Sequence, residues 1–156
     1  ALVEMDDPKV YDGQVMVEEC IQGREITVGV LGNDTLQPLP LVEIIPDTKY
    51  DFFDYEAKYL PGATKEICPA EVDERIWSRA QEYGMIAHRA LQLRGYSRTD
   101  MIVRGEEIFL LETNTIPGMT PTSLLPQAAA EAGLDFPTLL DHLITLALKD
   151  NQTMNP

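Results

Sequence analysis

An α+β domain is the fold class this sequence predicts, and three observations predict it. Segments rich in Val and Ile fill the first third of the chain, and one long segment with helical spacing occupies the middle. A strand–turn–strand pattern and two further helical segments make up the rest.

Residues 1–14 are polar and weakly patterned, a poor start for an independent domain. "QVMVEEC" (14–20) and "REITVGVLGND" (24–34) read as two strands, the second running into a Gly-Asn-Asp turn. "QPLPLVEIIP" (37–46) is extended, and its prolines, which cannot donate to a ladder, confine it to an edge or an irregular strand. Residues 47–66 have no steady period and read as a long loop, a length that in compact domains often serves function. In "EVDERIWSRAQEYGMIAHRALQLRG" (71–95), Ile76, Ala80, Tyr83, Ala87, Ala90 and Leu91 fall at helical spacing, with Gly95 as the stop. "YSRTDMIVRGEEIFLLETN" (96–114) predicts a strand, a turn around Gly105 and a second strand. "TSLLPQAAAEAG" (122–133) is a short helix started or broken by Pro126. "DFPTLLDHLITLALK" (135–149) is a helix with Asp135 as N-cap and Lys149 at its C-terminal end.

Twenty-six acidic against twelve basic residues give a net charge of −14, a surface that repels phosphate backbones and argues against a nucleic-acid partner. No apolar run approaches the roughly 20 residues that span a bilayer, so no membrane partner is expected. The first ten residues have no basic region followed by an apolar stretch, so no signal peptide is expected there. They also lack an initiator Met, as in a fragment or a processed chain. Cys20 and Cys68 are too few for a disulfide framework and are expected as reduced, packed thiols. His88 and His142 have no acidic or Cys partner at ligand spacing and are expected at the surface or a boundary.

The informative stretch is "LLETNTIPGMTPTS" (110–123), where an apolar strand runs into Glu112 and Asn114 and then into a loop of hydroxyls. Strand residues alternate faces, so Arg98 and Asp100 share one side, as do Glu112 and Asn114. A hairpin centred on Glu106 with an odd number of loop residues puts Asp100 opposite Glu112 and Arg98 opposite Asn114; a slip of one residue separates the acids. The apolar neighbours Met101, Ile102, Val103, Phe109, Leu110 and Leu111 predict a buried hairpin. Opposed carboxylates in such a place need a proton or a cation between them. Two carboxylates and an amide oxygen form a hard donor set suited to magnesium or manganese; the competing reading is a solvated sheet end. Further on, Gly118 allows close backbone approach to a ligand, and its amide can polarise an oxygen. Ser123 and the amides of residues 123 and 124 suit a carboxylate, or else form a turn followed by an N-cap.

These residues carry a resemblance. "GYSRTDMIV", "FLLETNTIPGMTPTSLLPQAAAEAG", "VEECIQGREITVGVLGN" and "DYEAKYLPG" closely resemble the D-alanine–D-alanine ligase family of ATP-grasp enzymes. The resemblance runs from about Val15 to Lys149; "ETNTIPGMTPTS" and "YEAKYL" are its specific parts. It implies an ATP-grasp C-terminal domain over 15–150, a mostly antiparallel sheet flanked by helices. Residues 1–14 would be a remnant of the preceding middle domain or a linker, and 151–156 a flexible tail. It implies ATP and magnesium (or manganese) as cofactors, with Asp100, Glu112 and Asn114 as metal ligands and Arg98 stabilising the transferring phosphate. Lys58 would contact ATP phosphates; Glu18 with the backbone of Glu19, Cys20 and Ile21 would bind adenine, and Glu25 the ribose. Gly118 would face the reacting carbonyl, while Ser123 and Leu124 would hold the carboxylate of the second D-alanine. Tyr59 lies in the loop that closes over the site, where ester-forming members carry histidine, and it implies an amide product.

The implied reaction is ATP-dependent joining of two D-alanine molecules through an acyl phosphate, for peptidoglycan synthesis in the cytoplasm. The family's N-terminal and middle domains, which bear the residues for the first D-alanine and the glycine-rich phosphate loop, are not within these 156 residues. They are the expected partners, in a homodimer when full length. The alternatives are an ATP-grasp ligase with another acceptor and a non-catalytic module that binds nucleotide or magnesium.

Overall fold

A computed structural model of the chain describes residues 17–46 and 64–154. Its strands are β1 (Arg24–Gly32), β2 (Gln37–Pro38), β3 (Val42–Pro46), β4 (Thr64–Ile67), β5 (Gly95–Arg104) and β6 (Glu107–Asn114). The helices are α1 (Glu74–Ala90), α2 (Leu124–Glu131) and α3 (Phe136–Met154). The strands form one sheet in the order β4-β3-β1-β5-β6, with the short β2 paired to β1. Every pairing is antiparallel, as expected of an α+β domain.

β1 is the central strand because both of its faces can be buried. Ile26 and Val28 join Met101, Val103 and Leu41 under Ile76 and Ala80 of α1. On the other face, towards the C-terminal end of β1, Leu31 joins Leu39, Val42, Leu125, Ala128, Ala129 and Leu139 under α2 and α3. Two glycines allow these close approaches: a Cβ at Gly84 would lie 2.5 Å from Val28 Cγ1, and one at Gly29 would lie 2.9 Å from Leu39 Cδ1. Neither cluster includes Glu25, Thr27, Ile44, Arg98, Asp100 or Ile102. Register and alternation place these six on the same face as Leu31, nearer the other end of the strands.

Several expectations change. Residues 17–20, the described part of the expected first strand, are exposed and not in a strand; Val and Ile propensity makes no strand without a neighbour to complete the hydrogen bonds. "QPLPLVEIIP" yields β3 as an interior strand, between β1 and β4, because Pro38 and Pro40 lie ahead of it and Pro46 at its end. Residues 64–66, expected in the loop, belong to β4.

Helix α1 starts at Glu74, with the Asp73 carboxylate accepting from the Arg75 amide. It stops before Gly95, in a Schellman closure: Leu93 N–H donates to His88 C=O (2.9 Å) and Gln92 N–H to Arg89 C=O (2.9 Å). Gln92 takes the left-handed conformation (φ 55°) that the closure needs. The buried row of α1 is Ile76, Ala80, Gly84 and His88, rotated from the expected stripe, so that Ala90 and Leu91 are exposed. His88 is therefore a core residue, 1% exposed, with Nδ1 2.7 Å from Ser97 Oγ. Burial pushes its imidazole below the ordinary histidine range. Helix α3 continues to Met154, through part of the expected tail, since no glycine or proline interrupts it before Pro156.

The β5–β6 hairpin is buried on β5 only. Strand β6 is at the sheet edge, which leaves Leu110 46% and Leu111 47% exposed. Its turn is the two-residue Gly105-Glu106, with Arg104 paired to Glu107. An even turn alone would put Asp100 out of step with Glu112. An irregularity between Asp100 and Met101, where Leu111 is the extra residue of β6, restores Asp100 opposite Glu112 and Arg98 opposite Asn114.

Candidate active site

The register converges polar groups on the face that the helices leave outside both apolar clusters. Thr27 lies opposite Asp100 on β5, and Asp100 opposite Glu112 on β6. Asp100 is 7% exposed, and its carboxylate accepts four hydrogen bonds. Thr27 Oγ1 (2.6 Å) and Arg98 Nε (2.9 Å) donate to Oδ1, while Arg98 Nη2 (2.9 Å) and Asn114 Nδ2 (3.0 Å) donate to Oδ2. Asn114 Nδ2 also donates to Glu112 Oε1 at 3.3 Å. One amino group thus bridges oxygens of two opposed carboxylates, marking a point where positive charge is favoured. Among the described residues no cluster of three or more His, Cys, Asp or Glu side chains could hold a metal. The available donor set is two carboxylates and one amide, which presents its oxygen after a half-turn about χ2. Such hard oxygen donors fit magnesium or manganese, and among the described residues no sulfur or imidazole competes.

Beside this group lies a cavity of about 460 Å³. Ile44 and Ile102 give it apolar sides, Glu25 a carboxylate, and Ile21, Gln22 and Gly23 one wall. A pocket of this size, mostly apolar with a few polar groups, suits a small organic ligand. Arg24 and Glu43 also line it, joined by two hydrogen bonds of 2.7 Å, and Arg24 donates to the Glu71 carbonyl at 2.8 Å. The Arg24 hydrogen bond holds the Glu43 carboxyl below the usual carboxylate range, so this pair is a fixed wall; Glu25 is a second carboxylate in the lining. Glu18, Glu19 and Cys20 precede it and are exposed. Glu19 lies 3.7 Å from Arg104 in an ion pair.

The loop after β6 holds the third set. Ser123 has the extended backbone of an N-cap but makes no side-chain capping bond to α2. Its Oγ instead accepts from Thr120 N–H (3.1 Å) and lies 2.8 Å from Thr120 Oγ1. A Cβ at Gly118 would come within 2.9 Å of that Oγ, so Gly118 and Ser123 face each other closely. Leu124 opens α2 with its side chain packed on the second apolar cluster, leaving its backbone amide as its polar group. Lys58 and Tyr59 lie outside the described residues. Thr27 was not singled out from the sequence; the signal that finds it is its register opposite Asp100.

An antiparallel sheet backed by helices, with opposed carboxylates on one face beside a mostly apolar cavity, is the arrangement of the C-terminal part of an ATP-grasp fold. The chain belongs to the family described as D-ala D-ala ligase C-terminus, whose sequence profile matches residues 4–145. It is 64% identical over 140 residues to the D-alanine–D-alanine ligase of Syntrophobacter fumaroxidans, covering 90% of this chain and 45% of that protein. It is 59% identical over 142 residues to that of Desulfotalea psychrophila, with 90% and 44% covered. The chain thus spans about half the length of the relatives it matches. Among solved structures, D-alanine–D-alanine ligase from Bacillus anthracis complexed with ATP superposes with a TM-score of 0.72 at 28% identity, over 88% of this chain and 42% of that one. VanG D-Ala:D-Ser ligase from Enterococcus faecalis does so with a TM-score of 0.71 at 39% identity, over 82% and 37%.

Proposed function

We propose that this chain is the catalytic C-terminal part of an ATP-dependent D-alanine–D-alanine ligase. The opposed pair Asp100 and Glu112, bridged by Asn114 and backed by Arg98, is the observation that carries the reading. Asp100, Glu112 and Asn114 would hold magnesium or manganese, which supplies positive charge to the nucleotide phosphates when bound. The cavity between Ile44 and Ile102 would take the adenosine, with Glu25 accepting from the ribose hydroxyls and residues 18–21 meeting the adenine edge. Lys58 and Arg98 would neutralise charge on the γ-phosphoryl group as it leaves ADP for the carboxylate of the first D-alanine. The amine of the second D-alanine then attacks the acyl carbon, expelling inorganic phosphate and losing a proton. The Gly118 amide would stabilise the carbonyl oxygen. Ser123 Oγ, already turned away from capping, and the Leu124 amide would anchor the second carboxylate. The N-terminal and middle domains of the family would complete the site, in a cytoplasmic homodimer.

The test uses the ligase polypeptide of full length that carries this sequence. D-alanine-dependent phosphate release with D-alanyl-D-alanine as product is expected, and its absence overturns the reading. D-serine as acceptor is a second reading, favoured by the likeness to VanG D-Ala:D-Ser ligase. A neutral Tyr59 leaves an incoming ammonium unopposed, whereas a cationic imidazole there would repel it and favour lactate. With D-alanine, D-serine and D-lactate supplied equally near neutral pH, D-alanyl-D-alanine should predominate. A predominant D-serine product would establish the second reading, and a predominant ester would overturn the Tyr59 argument.

A further inference from the structure

We infer that Thr27 is the positioning residue that aims the Asp100 carboxylate at Glu112; the inference rests on the metal site proposed above. Thr27 is 2% exposed on β1, between the core residues Ile26 and Val28. Valine would fill the same space with a similar strand propensity and no polar group to satisfy. What threonine adds is one hydroxyl proton. The nearest acceptor is Asp100 Oδ1 at 2.6 Å, with the Thr99 carbonyl at 3.1 Å. A hydroxyl donates once, and 2.6 Å is the length of a charge-assisted bond, so the proton goes to the carboxylate.

The consequence is rotational. The terminal torsion of an aspartate is soft, so the carboxylate plane is set by its partners. With Oδ1 held by Thr27 and Arg98 Nε, Oδ2 faces Asn114 Nδ2, the atom that also contacts Glu112 Oε1. Arg98 holds both oxygens of Asp100 and, in the proposed reaction, turns its charge to the phosphoryl group. Thr27 belongs to a neighbouring strand and is buried, so it keeps its grip while Arg98 is engaged elsewhere. Groups behind a metal ligand typically change metal affinity by about 10–100-fold when removed.

The experiment compares Thr27→Val, Thr27→Ser and Asp100→Asn in the full-length ligase polypeptide. Mn2+ binding in the presence of ADP is read from the electron paramagnetic resonance signal of free Mn2+, and Mg2+ half-saturation from turnover. Thr27→Val should weaken Mn2+ binding and raise Mg2+ half-saturation about tenfold, leaving the KM for D-alanine at saturating Mg2+ within about twofold. Thr27→Ser keeps the hydroxyl and should bind Mn2+ like the parent; if Val at 27 does not fold, Thr27→Ala makes the same comparison. Unchanged Mn2+ affinity in Thr27→Val, or equal losses in the Ser and Val variants, overturns the role of the hydroxyl. Unchanged Mn2+ affinity in Asp100→Asn overturns the metal site itself, a separate failure.

Discussion

The two faces of β1 differ by a single residue step and follow opposite rules. Ile26, Val28 and Val30 are fully buried, with Ile26 and Val28 in the apolar cluster under α1 and Val30 beside the same helix at Gly84. Glu25 and Thr27, on the other face, meet a cavity and a carboxylate. The first face is arranged for stability: apolar area leaves water, and a glycine lets helix and sheet close together. The second buries charge, opposes two acids and needs four donors to satisfy one carboxylate, an arrangement that stability alone disfavours. Substitutions on the two faces should therefore separate stability from activity.

The largest expected effect is on the polar face. Glu112→Gln should lower ATP-dependent turnover by orders of magnitude while leaving the melting temperature unchanged or slightly raised, since removing the like charge opposite Asp100 relieves about 0.2–1 kcal/mol. Phosphate release and thermal melts check both halves; near-normal turnover would break the contrast between the faces. Met101→Ala, on the apolar face, should cost about 2–5 kcal/mol in urea unfolding, because Met101 is fully buried. A smaller loss, about 1–3 kcal/mol, is expected for Gly84→Ala, whose new Cβ would overlap Val28 Cγ1. Adding Val28→Ala should return part of it, a coupling measurable by a double-mutant cycle.

The smallest effect sharpens the comparison through pH. His88 is buried with Nδ1 on Ser97 and no partner for Nε2 among the described residues, so folding favours the neutral ring. Its folded-state pKa lies below the unfolded value of about 6.5, so its contribution is fully present above that pH. As pH falls below about 6.5 the unfolded chain binds the proton more readily, and stability should drop by at most about 1.4 kcal/mol per pH unit. Urea unfolding from pH 8 to pH 5 should show this slope, and His88→Gln should flatten it.

Much of the site was legible because strand alternation is local. Arg98 with Asp100, and Glu112 with Asn114, share a face whatever the rest of the chain does. The helix over 74–90 and the hydroxyl loop before α2 were readable for the same reason: spacing and turn residues act over a few positions. The burial of His88 was not readable, since it depends on which side of α1 meets β5.

By itself the sequence determined the α+β class, the composition of the site and the residues that could share a face, all properties of neighbours along the chain. Tertiary structure alone decided the pairings across strands. The hairpin turn has two residues where an odd number was expected, and the acids still face each other only because Leu111 is an extra residue in β6. Thr27 reaches Asp100 across a separation of 73 residues. Such contacts are set by register and by the twist and bulges of the whole sheet, which no local pattern encodes.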